Sequence, residues 1–117
     1  MSPAPKVHRD LLEAEINGLH EGEETFLLMQ FDEIRPRMKD TGRPMIDEMM
    51  GNLDKIADLL RYKKTDLSER QFKACLGALK YFVRDLDFLE EEYHGVAGLV
   101  DDALVVQVAV EDLQGLL

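Results

Sequence analysis

The chain has one cysteine, no tryptophan, four prolines and three histidines in 117 residues. A lone Cys75 excludes an intramolecular disulfide and suits a reducing compartment. No two of His8, His20 and His94 stand at ligand spacing, and neither an HExxH pattern nor a Cys/His cluster occurs, which argues against a structural zinc site. The phosphate-binding loops GxxxxGKS, GxxxxGKT and GxGxxG and the esterase elbow GxSxG are all missing. The uncharged run Ala103–Val110 is far too short to cross a bilayer and contains Gln107. The first ten residues, MSPAPKVHRD, lack the apolar stretch of a secretory signal.

Basic side chains are also scarce, 14 against 24 acidic, for a net charge of −10. Residues 1–34 hold two basic and eight acidic side chains, residues 35–73 ten and seven, and residues 74–117 two and nine. Such a surface repels nucleic-acid phosphate and anionic membrane over most of its extent. At 45% hydrophobic and 32% charged, the composition is that of a globular protein, and the length is that of one domain with its own core. A cytoplasmic protein is expected.

Apolar residues recur at helical intervals. After a stiff lead-in over residues 1–6, Leu12, Ile16, Leu19, Phe26, Leu27, Phe31 and Ile34 mark one long helix, interrupted or closely approached near Gly18 and Gly22. Glu13, Glu24 and Asp32 form its solvated face. Pro36 ends it and Lys39–Pro44 is a loop. Pro44 then opens a helix to about Tyr62, with Met45, Met49, Leu53, Ile56, Leu59 and Leu60 inward and a basic tail suited to the helix dipole. Asp66 with Glu69, and Ser68 with Gln71, are overlapping capping boxes for a third helix through Phe72, Cys75, Leu79, Phe82 and Leu86. Periodicity leaves open whether that helix stops near Asp85 or continues to His94. Val105–Val110 is β-prone locally, but Asp101 and Asp102 suit a helical first turn and no partner strand exists. The expected architecture is all-α, a single-domain bundle of four to five helices spanning 1–117.

The densest chemistry lies in Tyr81–Val110, where Asp85, Asp87, Glu90, Glu91 and Glu92 precede a Gly95–Gly98 turn and Asp101 and Asp102 follow it. Asp87, Glu91, Asp101 and Asp102 are candidate ligands for Mg²⁺ or Ca²⁺, or an acid–base set. Capping of the last helix by Asp101 and Asp102, with Arg84 or Lys80 neutralising the remaining acids, outweighs that reading. No catalytic or cofactor-binding residue is assigned, and no cofactor is expected. Arg35, Arg37, Lys39 and Arg43, together with Glu90, Glu91 and Glu92, are candidate partner contacts. Cys75, on an apolar helix face, reads as a buried, inert thiol.

Tyr81, Asp87, Glu91 and the run Gly98-Leu-Val-Asp101-Asp102, followed by Ala-Leu-Val-Val, resemble the core motif of the YkvA-like family of small bacterial helical domains. The likeness centres on about 70–113. Where that family carries prolines this chain has Asp85, Glu90 and His94, which favours the longer third helix. The resemblance implies an all-helical fold and no particular activity. The functional expectation is therefore a non-enzymatic interaction protein with a protein partner, basic in character, and no nucleic acid. The carboxylate site and self-association as a homodimer stand as alternatives.

Overall fold

A computed structural model describes residues 6–39, 41–92 and 99–116, with the side chains of 87–92 outside that description. Five α-helices are formed: α1 (Lys6–Asn17), α2 (Glu23–Ile34), α3 (Pro44–Tyr62), α4 (Glu69–Glu92) and α5 (Leu99–Asp112). Short 3₁₀ turns over Arg35–Met38 and Lys64–Asp66 link them. The architecture is the all-α bundle that the helical periodicity dictates. The lead-in over 1–5 and the Gly95–Gly98 turn lie outside the described residues.

The single first helix is two. Beyond Asn17 the Gly18 N–H donates to the carbonyls of both Ala14 and Glu15, closing α1. Gly22 takes φ 87°, a left-handed conformation that costs glycine little and redirects the chain into α2. The two glycines thus mark a break, and it reverses one assignment: Phe26, placed inward on a continuous helix, is 58% exposed on α2. The third helix continues unbroken to Glu92, as the missing prolines favour.

Its start is a reciprocal box. The Ser68 hydroxyl accepts from the Gln71 N–H at 3.1 Å, and the Gln71 amide oxygen accepts from the Ser68 N–H at 2.9 Å. Over 24 residues α4 is ~36 Å long, and it contacts each of the other four α-helices. Ala74, Cys75, Ala78, Leu79 and Phe82 make its buried face, with Phe82 edge-on to Phe31 of α2 at 6.3 Å between ring centroids. Gly77 admits α1 closely: a Cβ there would lie 3.0 Å from Ile16 Cγ1 and 3.1 Å from Leu12 Cδ1.

The Val-rich α5 settles as a helix because burial, not local preference, decides it: Leu99, Val105, Val106, Val108 and Ala109 are all inside. The charged face of α1–α2 is not merely solvated. Glu13 pairs with Arg70 at 2.9 Å, Glu24 with Lys64 at 2.7 Å and Asp32 with Arg61 at 2.6 Å, tying these helices to α4, to the 3₁₀ turn before it and to the end of α3.

The close α1–α4 approach makes Gly77 a sensitive position. Gly77→Leu is expected to lower stability by about 1–3 kcal/mol through overpacking against Leu12 and Ile16, read as a lower urea midpoint. Gly77→Ala is expected to cost less, because a gain in helix propensity of about 1 kcal/mol offsets part of the crowding.

Candidate functional site

Two features draw attention, a buried polar seam and an open groove. The seam begins with α1, whose inward positions His8, Leu12 and Glu15 are mostly polar. Helical spacing on α4 sets Tyr81, Arg84 and Asp85 on one side. The first turn of α5 supplies Asp101 and Asp102.

Each buried acid is handled differently. Arg84 lies against the carboxylate of Glu15, whose pKa burial nonetheless holds above the usual range. His8, only 7% exposed, meets Asp101 through Nε2 at 2.9 Å. Asp102 is 0% exposed, and neither of its oxygens meets a donor. Burial, then the Asp85 carboxyl beside it, pushes the Asp102 acid up to about 10. A buried carboxyl with no donor and a second carboxyl beside it is held toward its neutral form. Burial also raises the Tyr81 phenol to about 12, reinforced by Asp85, Asp102 and Asp101. The Cys75 thiol is pushed up to about 12 by burial alone, which leaves no reactive thiolate.

Asp101 and Asp102 stand in the first turn of α5 as expected. The two side chains part, Asp101 toward His8 with 64% of its side chain exposed and Asp102 into the interior without a capping bond. Lys80 reaches the Gly18 carbonyl at 3.0 Å and Glu23 at 3.1 Å, while Arg84 turns to Glu15. Asp87, Glu90, Glu91 and Glu92 sit on the last turns of α4, with side chains outside the described residues. Among the described residues no group of three His, Cys, Asp or Glu side chains is placed to hold a metal ion. Arg35 is committed to the fold, donating to Asp54 at 2.8 and 2.9 Å and to the Met38 carbonyl. Arg37, Lys39 and Arg43 are exposed.

His8 and Glu15 are the seam residues that helical periodicity did not place inside. The available signal was the pair His8 and Glu15, which share a helix face with Leu12 and so had to be buried with it.

The groove, of about 570 Å³, runs between α3 and α5. Met45, Met49, Ala103, Leu104 and Val110 give it an apolar lining. Glu48 and Glu111 stand at it, with Asn52, Gln107 and Gln114, and no Lys, Arg or His is among its described lining residues. Met45, expected inward, is 49% exposed because it faces this groove and not the core. A smaller cavity of about 420 Å³ beside the Gly22 turn mixes both signs of charge, and Lys64 there is already paired to Glu24 and stacked 5.2 Å from the Phe72 ring centroid.

A neutral Asp102 has a pH signature. Its folded pKa of about 10 lies above the ordinary 3.8, so the folded chain keeps a proton that the unfolded chain has released across that window. Stability from this group therefore falls as pH rises, with a slope of up to ~1.4 kcal/mol per pH unit. Asp102→Asn, which mimics the neutral acid, is expected to flatten that slope in urea titrations between about pH 5 and about pH 8 and to be the more stable form at the upper end. Comparison of the chain with models of known protein families, with curated proteins and with solved structures returns no match.

Proposed function

We propose that the protein is a non-enzymatic, soluble, cytoplasmic interaction module that docks a protein partner on its α3–α5 face. The observation that carries this reading is the groove itself, lined by Met45, Ala103, Leu104 and Val110 with the exposed Glu48 beside them. Such a face favours a basic partner, raising the association rate and discriminating against acidic competitors. The buried acids of the seam have structural occupations, and among the described residues no helix is long and apolar enough to cross a membrane. The likeness of the region about 70–113 to the YkvA-like motif belongs to this proposal as a statement of kinship, supported by the helical α5, and adds no activity.

A photocrosslinking residue in place of Leu104 is expected to trap a defined protein in native lysate, with a yield that falls as salt rises. The same residue in place of Tyr62, which is 79% exposed and does not line the groove, is expected to trap none of it. Equal adducts at both positions, or none at Leu104 across several growth conditions, would contradict the reading.

A second reading, a divalent-cation or acid–base site on Asp87, Glu91, Asp101 and Asp102, draws support from the adjoining carboxyls of Asp102 and Asp85. It predicts heat beyond dilution when Mg²⁺, Ca²⁺ or Mn²⁺ is titrated into the protein. Self-association draws on Phe26 and Met29, 58% and 59% exposed on α2, and predicts a sedimentation coefficient that rises with concentration.

A further inference from the structure

We infer that Asn17 is a deamidation site, its side-chain amide lost to attack by the Gly18 backbone nitrogen at a rate set by opening of the last turn of α1. The chain has two asparagines, Asn17 and Asn52. Asn17 is exposed, is the final residue of α1 and precedes a glycine. A residue without Cβ leaves its nitrogen open to approach the preceding side chain. Beyond its chain neighbours, a Cβ built on Gly18 would meet only the carbonyl oxygens of Ala14 and Glu15 among the described residues, so no side chain crowds the site. Asn52 is the internal comparison: it lies within α3 and precedes the fully buried Leu53.

The step needs no other protein group. The Gly18 N–H gives its proton to hydroxide, and the nitrogen attacks Cγ of Asn17. A C–N bond forms, the Cγ–Nδ2 bond breaks, and the amide nitrogen leaves as ammonia after taking a proton from water. Water then opens the resulting five-membered imide at either carbonyl, leaving an aspartyl or isoaspartyl residue at position 17. Nothing is oxidised or reduced. The product adds a negative charge at the C-terminal end of α1, where the helix dipole disfavours it.

The fold holds the reacting atoms back. The Gly18 N–H donates to the Ala14 and Glu15 carbonyls at 3.1 Å each, so the proton that must leave is engaged twice. Helical backbone at Asn17 fixes ψ, and the nitrogen reaches Cγ only after ψ leaves that range. Two ties resist the opening. Lys80 Nζ on α4 donates to the Gly18 carbonyl at 3.0 Å and to Glu23 of α2 at 3.1 Å, so one ammonium spans the turn between α1 and α2. The Leu19 N–H adds a bond to the Ile16 carbonyl at 3.2 Å. A helix end of this kind opens locally, without global unfolding, and its open population then sets the rate.

The test incubates the full-length protein at about 37 °C and about pH 8, folded or in urea, and follows a gain of about 1 Da by peptide mapping. In urea Asn17 should be modified about tenfold or more faster than Asn52, and faster by a similar factor than in the folded chain. Lys80→Met should raise the folded rate about threefold or more and leave the rate in urea unchanged. Gly18→Ala should lower the rate in urea about tenfold. Hydrogen exchange on the unaltered protein reads the route without any substitution. The Gly18 N–H should exchange faster than the Leu79 N–H and independently of low urea, as a local opening does. Equal rates in the folded and unfolded chain, equal gain at Asn52, an unchanged folded rate in Lys80→Met, or a Gly18 amide that exchanges only with global unfolding overturns the inference.

Discussion

The structure depends on burying the polar face of α1 against α4 and α5. α1 approaches α4 at Gly77 closely enough that a Cβ would crowd Leu12 and Ile16, and this closeness carries His8 and Glu15 inside as well. A buried charge is costly unless it is paired or neutralised. The chain uses both remedies: Arg84 and the Asp101 carboxylate serve as partners for Glu15 and His8, and protonation serves Asp102. Farther along the same helices, Arg70 bridges Glu13 and Asp112 at 2.9 Å each, and Arg9 joins Asp112 at 3.2 Å. α1 is thus fastened to both neighbours by charge at its edge and by fit at its centre.

This arrangement separates structural from available surface. Much of the scarce positive charge is used inside the fold: Arg9, Arg35, Arg61, Lys64, Arg70, Lys80 and Arg84 all hold carboxylates. At the face between α3 and α5, Arg9 approaches Glu111 at 3.8 Å, while Glu48 and Met45 stay exposed. The functional reading follows from that division of labour: ion pairs on α1, α4 and α5 hold the bundle together, while Met45 and Glu48 stay exposed at the groove.

Much of the architecture was legible because it is written in local chemistry. Pro44 opens α3, Ser68 and Gln71 open α4, and the lack of prolines at 85, 90 and 94 lets α4 run on. The α1–α2 break was half legible: the glycines marked a place, but φ at Gly22 decides between a kink and a turn, and no pattern of apolar residues reports it. Phe26 and Met45 were misassigned for one reason. An amphipathic stripe says which side of a helix is apolar, not how much of it the rest of the chain covers. The seam was the least legible part, since Asp85 and Asp102 are 17 positions apart and only the packing of α5 on α4 brings them together. The groove was not legible for the same reason, being a property of how α3 and α5 pack.

The claim at the centre of this account is that the carboxylates of α4 and α5 serve the fold before any chemistry, and it turns on the charge of Asp102. The direct measurement is a ¹³C NMR titration of the aspartate side-chain carboxyls, with Asp102 assigned by comparison with Asp102→Asn. A protonated Asp102 resonance is expected at pH 7, changing only as pH approaches about 10 and indifferent to added Mg²⁺ or Ca²⁺. An ionised Asp102 at pH 7, or a resonance that shifts when either cation is added, would contradict it.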